Sequence, residues 1–92
     1  PVDQVANFGL GSVYHDLKRY DEALPPLQTV VKEYKDYSAA YVLLGKTMEK
    51  LSRQDEAIQT YREGIAVASK KGDLMPLKEM QQKLNQLLHS NP

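Results

Sequence analysis

Apolar residues recur along the chain at spacings of three and four, and polar breaks divide them into five runs. The first run, Ala6, Leu10, Val13, Tyr14 and Leu17, falls on one broad helical face, because successive helical residues turn by about 100°. After a polar break at residues 18–21, a second run of Ala23, Leu24, Leu27, Val30, Val31 and Tyr34 does the same. The third run is Ala40, Leu43, Leu44, Thr47, Met48 and Leu51, and the fourth is Ala57, Ile58, Tyr61, Ile65 and Ala68. A break at residues 70–73 precedes the last run, Leu74, Leu77, Met80, Leu84, Leu87 and Leu88, whose opposite face is Lys78, Glu79, Gln82, Lys83 and Gln86. The pattern therefore predicts five amphipathic helices.

Helix ends can be placed from local chemistry. Ser38 or Asp36 is expected to cap the third helix, and Asp55 either caps the fourth or lies just inside it. Gly72 suits the residue just past a helix end, and Asp73 suits the cap of the fifth helix. Pro25 and Pro26 are awkward: proline is cheap only in the first turn, so a second helix that starts at Asp21 or Glu22 is expected to start late or bend.

The first two runs return as the third and fourth at a single offset, the one that carries Leu10 onto Leu44. At that shift Ala6, Leu10, Gly11, Leu17, Arg19, Asp21, Glu22 and Ala23 meet identical residues, Ala40, Leu44, Gly45, Leu51, Arg53, Asp55, Glu56 and Ala57. Leu24 meets Ile58, Leu27 meets Tyr61 and Val31 meets Ile65, so the apolar pattern repeats where the letters do not. Gly11 and Gly45 each lower helix propensity by about 1 kcal/mol relative to alanine, and a penalty kept in both copies predicts a close helix approach.

The chain resembles the tetratricopeptide-repeat family, whose period of about 34 residues is the same offset. The first copy carries Leu10-Gly11-x-x-Tyr14 and Ala23, with Leu27 in place of the usual aromatic; the second carries Tyr41-x-x-Leu44-Gly45 and Ala57-x-x-x-Tyr61. Asn7 and Met48 stand where the family prefers large aromatics, and Val30 and Lys35 depart from its late small residue and proline, whereas Gly64 keeps the small one. The resemblance implies one all-α domain over residues 1–92, a right-handed superhelical stack of antiparallel helix pairs. Its two units are expected at about 4–37 and 38–71, with a capping helix at about 73–89.

The resemblance also implies a concave face, lined by the first helix of each pair, that receives an extended peptide or a helix of a protein partner. Carrying the family's usual groove positions onto this chain gives Val5, Phe8, Ser12 and His15, then Ala39, Val42, Lys46 and Glu49, and finally Asp73, Leu77 and Met80. Phe8, Val5 and Val42 would take an apolar side chain, while Ser12, Lys46 and Glu49 would orient it. The clamp with which some relatives hold chaperone C-terminal carboxylates is not kept: Phe8, Ser12, Leu43, Asp73 and Leu77 stand at its positions. Two other roles remain. One is a structural segment that self-associates through Val5 and Phe8 at one end or Met80, Leu84, Leu87 and Leu88 at the other. The second is an accessory domain of an enzyme.

Composition narrows the chemistry. The chain has 92 residues, 41% apolar and 26% charged, enough for one small core. Twelve basic residues balance twelve acidic ones, which argues against a phosphate backbone or an anionic membrane as partner. The first copy, through Tyr34, holds three basic and five acidic groups, a gentle local excess of negative charge. There is no cysteine, so thiolate chemistry and disulfides are excluded and any redox compartment is compatible. No apolar run approaches the roughly 18 residues of a membrane span.

His15 and His89 are the only histidines, and neither has a companion at metal-ligand spacing. Gly9 to Ser12 lack the lysine of a phosphate loop and fall within a helical run. No catalytic group, cofactor or metal is expected. Pro1 in place of a methionine reads as a processed chain or a piece of a longer one.

Overall fold

The computed structural model describes residues 3–89, and among them are five α-helices and no strand. These are α1 (Gln4–Asp16), α2 (Tyr20–Glu33), α3 (Ser38–Lys50), α4 (Gln54–Lys71) and α5 (Leu74–His89). Helix α2 packs on both α1 and α3, and α4 packs on both α3 and α5. Helices α1, α3 and α5 therefore form one layer and α2 and α4 the other. Two layers about 10 Å apart account for a Cα trace only 17 Å deep in its shortest direction.

Both hairpins close in one way. Helix α1 ends with Lys18 at φ 62° and α3 with Ser52 at φ 59°, the left-handed region that ends helices. The Lys18 and Arg19 amides donate to the His15 and Tyr14 carbonyls (2.9 and 2.8 Å), and the Ser52 and Arg53 amides donate to those of Glu49 and Met48 (3.0 and 2.9 Å). Gly72, at φ 74°, ends α4 with the same pair of bonds from Gly72 and Asp73 to Ser69 and Ala68. Past each hairpin turn an arginine forks onto the glutamate three residues on. Arg19 reaches Glu22 at 2.6 and 2.8 Å, and Arg53 reaches Glu56 at 2.9 and 2.9 Å. Such exposed pairs fix the turn's shape more than they stabilise the fold.

Three expectations about helix ends change. Tyr37, not Ser38 or Asp36, is the N-cap of α3, and it makes no side-chain cap bond. Ser38 is already helical and donates to Asp73 Oδ2 at 2.8 Å, and the Asp36 carbonyl accepts from Lys71 Nζ at 2.6 Å. The capping groups thus tie the two inter-helix connections together. Asp73 accordingly spends its carboxylate on Ser38 and Lys71. Nor does α2 start late: it begins at Tyr20 and runs through both prolines. The prolines leave the Asp21 and Glu22 carbonyls without helical donors, but both residues are exposed, which leaves those carbonyls to water.

Ala23, Leu27, Val30, Ala40, Ala57, Tyr61, Ala68 and Met80 have no exposed surface, so the core lies in the seam between the layers. Glycines set how tightly the seam closes. A β-carbon on Gly11 would stand 2.5 Å from Leu27 Cγ, and one on Gly45 would overlap the Tyr61 ring. Leu27 and Tyr61 are themselves related by the repeat offset, so the two glycines occupy equivalent environments. Gly64 makes a third close approach, between Met80 and Tyr41, whose Cβ would lie 2.6 Å away.

The last helix leaves the register. Helix α4 has 18 residues against 14 in α2, and two residues connect it to α5 where four connect α2 to α3. As a result α3 starts at Ser38, one repeat offset after Gln4 of α1, whereas α5 starts at Leu74 and not at Gly72, where the same offset from Ser38 would put it. The strict repeat offset therefore does not carry the inward face of α3 onto that of α5: Ala40 and Leu44 are buried, whereas Leu74 and Lys78 are exposed and Met80 is the buried residue.

Glycine substitutions test the seam. Gly45→Ala is expected to lower Tm by roughly 5 to 10 °C, because the buried Tyr61 ring has nowhere to move and overpacking outweighs the helix propensity gained. Gly9→Ala, which meets nothing within 4 Å, is expected to raise Tm by several degrees. Thermal unfolding followed by circular dichroism checks both.

Candidate functional site

Helices α1, α3 and α5 share one layer, and their common outer side is hollowed. One depression of about 390 Å³ is lined by Phe8, Ser12 and Asp16 from α1, Ala39, Val42 and Leu43 from α3, and Met75, Pro76 and Glu79 from α5. Val42 is 8% exposed and forms part of its floor, while Met75 is 82% exposed at its edge. The Phe8 ring packs against Tyr37 with centroids 5.1 Å apart, which makes it a wall of the depression and also part of the fold. Proline at 76 fits the first turn of α5, where an amide hydrogen would have no helical partner.

A second depression of about 380 Å³ adjoins the first and is lined by His15, Lys46, Glu49, Lys50 and Lys83. Lys46 Nζ meets Glu79 Oε2 at 2.5 Å, a pair that links α3 to α5 between the two depressions. Glu49 Oε2 accepts from the Tyr61 hydroxyl at 2.5 Å, so a side chain from the opposite layer reaches through to fix the carboxylate. Burial, together with that bond, pushes the Tyr61 hydroxyl well above its ordinary range and keeps it protonated. Lys50 and Lys83 make no ion pair among the described residues.

His15 joins α1 to α3. Thr47 donates its hydroxyl to the Leu43 carbonyl at 2.8 Å, which leaves its oxygen to accept from His15 Nδ1 at 2.9 Å. The hydrogen of the neutral ring therefore sits on Nδ1. The Tyr20 ring meets the imidazole edge to face at 5.2 Å. Burial lowers the His15 pKa, Lys46 and Lys50 lower it further, and Asp16 alone opposes them.

Of the positions the sequence proposes, Phe8, Ser12, Ala39 and Val42 come together in the first depression and His15, Lys46 and Glu49 in the second. Val5 is 72% exposed but lines neither. The α5 positions are corrected: Met80 is wholly buried under Gly64, Leu77 packs on the core, and Asp73 is held by Ser38 and Lys71. Met75, Pro76, Glu79 and Lys83 take their place. Of the C-terminal residues expected to form a self-association face, Met80, Leu84 and Leu87 pack inward and Leu88 is 49% exposed.

Family models described as tetratricopeptide repeat match residues 5–37 and 38–71, and a TPR repeat-containing protein of Pseudomonas aeruginosa is 37% identical over 73 residues, 79% of this chain and 70% of that one. The chain belongs to the tetratricopeptide-repeat family. The crystal structure of a tetratricopeptide repeat domain protein from Salinibacter ruber matches with a TM-score of 0.90 at 30% identity, over 97% of this chain and 99% of that one. A solution structure of a Bordetella parapertussis protein matches with a TM-score of 0.83 at 32% identity, over 94% of this chain and 75% of that one. Tetratricopeptide repeats are in general non-enzymatic protein-interaction modules. In this family member no group of three His, Cys, Asp or Glu among the described residues is placed to hold a metal ion, and no described helix is long and apolar enough to cross a membrane.

The His15 linkage has a pH signature. With the folded pKa below 6.5, the unfolded chain binds more protons between the two values, so the stability from neutral His15 is complete above about 6.5 and is lost as pH falls through the folded value. The His15 Cε1 proton resonance is expected to titrate below pH 6.5. His15→Gln is expected to shrink the drop in Tm between about pH 7 and pH 5.

Proposed function

We propose that this repeat module binds a peptide or a helix of a protein partner on the face shared by α1, α3 and α5. The observation that carries this reading is Met75, a large apolar side chain left 82% exposed beside Phe8 and Pro76 and over a floor of Val42 and Leu43. A bulky apolar side chain of a partner would fill that depression, and its desolvation would supply most of the affinity, about 1.5–3 kcal/mol for one such residue. Ser12, Asp16 and Glu79 on the same walls offer polar contacts that set direction, and Lys50 and Lys83 next door favour acidic groups at one end of the ligand. Catalysis has no support in this arrangement: the carboxylates of Glu49 and Glu79 are each committed to a neighbour, and His15 spends Nδ1 on Thr47.

Peptides selected against the module from a displayed library provide the test. Met75→Asp is expected to weaken the selected peptides by about tenfold or more, with Tm unchanged because the side chain is exposed. Their amide shift changes are expected to cluster at Ser12, Val42 and Glu79. Peptides that bind Met75→Asp as tightly as the native chain would move the binding surface elsewhere.

A further inference from the structure

Sulfur is unevenly placed in this fold. The chain has three methionines and no cysteine. Met80 is fully buried, with its sulfur packed against Gly64. Met48 is 5% exposed, and its sulfur accepts from the Thr60 hydroxyl at 3.2 Å. Met75 alone is open, at 82% exposure, and it stands at the edge of the depression that Phe8, Val42, Leu43 and Pro76 line. A dissolved oxidant has to touch a sulfur lone pair to react, so exposure decides which thioether it reaches. The one accessible oxidisable sulfur of the chain therefore lies beside its apolar depression.

We infer that Met75 is a site of reversible oxidation by peroxides, and that its sulfoxide switches the depression from a docking site to a hydrated surface; the switch rests on partner binding at that depression. In the step, the Met75 thioether sulfur attacks one oxygen of hydrogen peroxide and the O–O bond breaks. The sulfur loses two electrons to become a sulfoxide, and the second oxygen takes the hydrogen of the first and leaves as water. An apolar side chain thereby gains a dipole and a hydrogen-bond acceptor. The depression offers that acceptor little: Ser12 has the one side-chain donor among the lining residues, whereas Asp16 and Glu79 are carboxylates, and Glu79 already holds Lys46. The sulfoxide oxygen is left to water, which an apolar side chain of a partner would have to strip away to sit beside it. The fold itself loses nothing, because Met75 lies outside the core.

The test treats the whole chain with dilute hydrogen peroxide and follows each methionine by peptide mass mapping. Met75 is expected to gain one oxygen about tenfold faster or more than Met48 or Met80, until denaturant opens the fold and levels the three. The oxidised chain is expected to hold the displayed-library peptides about tenfold more weakly at unchanged Tm. Methionine sulfoxide reductases A and B together, one for each sulfoxide epimer, are expected to restore the binding. Met75→Leu has no sulfur at this position, so peroxide is expected to leave that variant's own affinity where it stood before treatment. Equal oxidation rates at the three methionines, or an affinity that falls as far in Met75→Leu as in the native chain, would overturn the inference. So would selective Met75 oxidation that leaves affinity unchanged for peptides that Met75→Asp weakens, an outcome that keeps the binding surface and removes only the switch. Peptides indifferent both to Met75→Asp and to oxidation would remove the binding surface and the switch with it.

Discussion

Everything in this small protein depends on how closely one helix lies against the next. Gly11, Gly45 and Gly64 each mark a crossing where a single added carbon would collide with Leu27, Tyr61 or Met80, and those three side chains are fully buried as a result. A 92-residue chain hides a modest share of its surface, so it draws much of its cohesion from a few large residues seated in gaps left by missing ones. The helix-propensity cost of each glycine, about 1 kcal/mol, is local, whereas the packing it permits joins both layers.

The fold was legible because its cause is periodic. Five apolar runs, eight identities at one offset and a glycine before each large partner, Leu27 and Tyr61, are all visible as letters. Less visible were the features that depend on three-dimensional context. Lys18 and Ser52 adopt the left-handed conformation without being glycine, so the shared hairpin closure is not announced by residue type. Ser38 has the chemistry of a cap yet bonds Asp73, 35 residues away, because the α2–α3 and α4–α5 connections lie side by side. The prolines of α2 were expected to delay the helix or bend it; the late start is not seen, and with Ala23, Leu24 and Leu27 buried around the prolines the segment is helical from Tyr20.

The candidate surface divides in the same way. Positions on α1 and α3 follow strict repetition, and the structure gathers Phe8, Ser12, Ala39 and Val42 in one depression and His15, Lys46 and Glu49 in the other, with Val5 in neither. On α5 the expected Leu77 and Met80 pack inward, while Pro76 and Lys83, one offset after Val42 and Glu49, line the depressions. Met75 and Glu79 stand one offset after Tyr41 and Gly45, which α4 covers; no helix follows α5 among the described residues, so both stay at the surface, where Glu79 pairs with Lys46.

Among the described residues, α1 never touches α5; every helix meets only those one or two places away along the chain. Such a molecule is held together like a row of leaning books, with no clasp from first to last. Native contacts form between segments already close along the backbone, which favours rapid folding with little loop entropy to overcome. The terminal hairpin of α1 and α2 can also peel away while α3, α4 and α5 persist, so hydrogen exchange would grade from one end to the other instead of reporting a single cooperative opening.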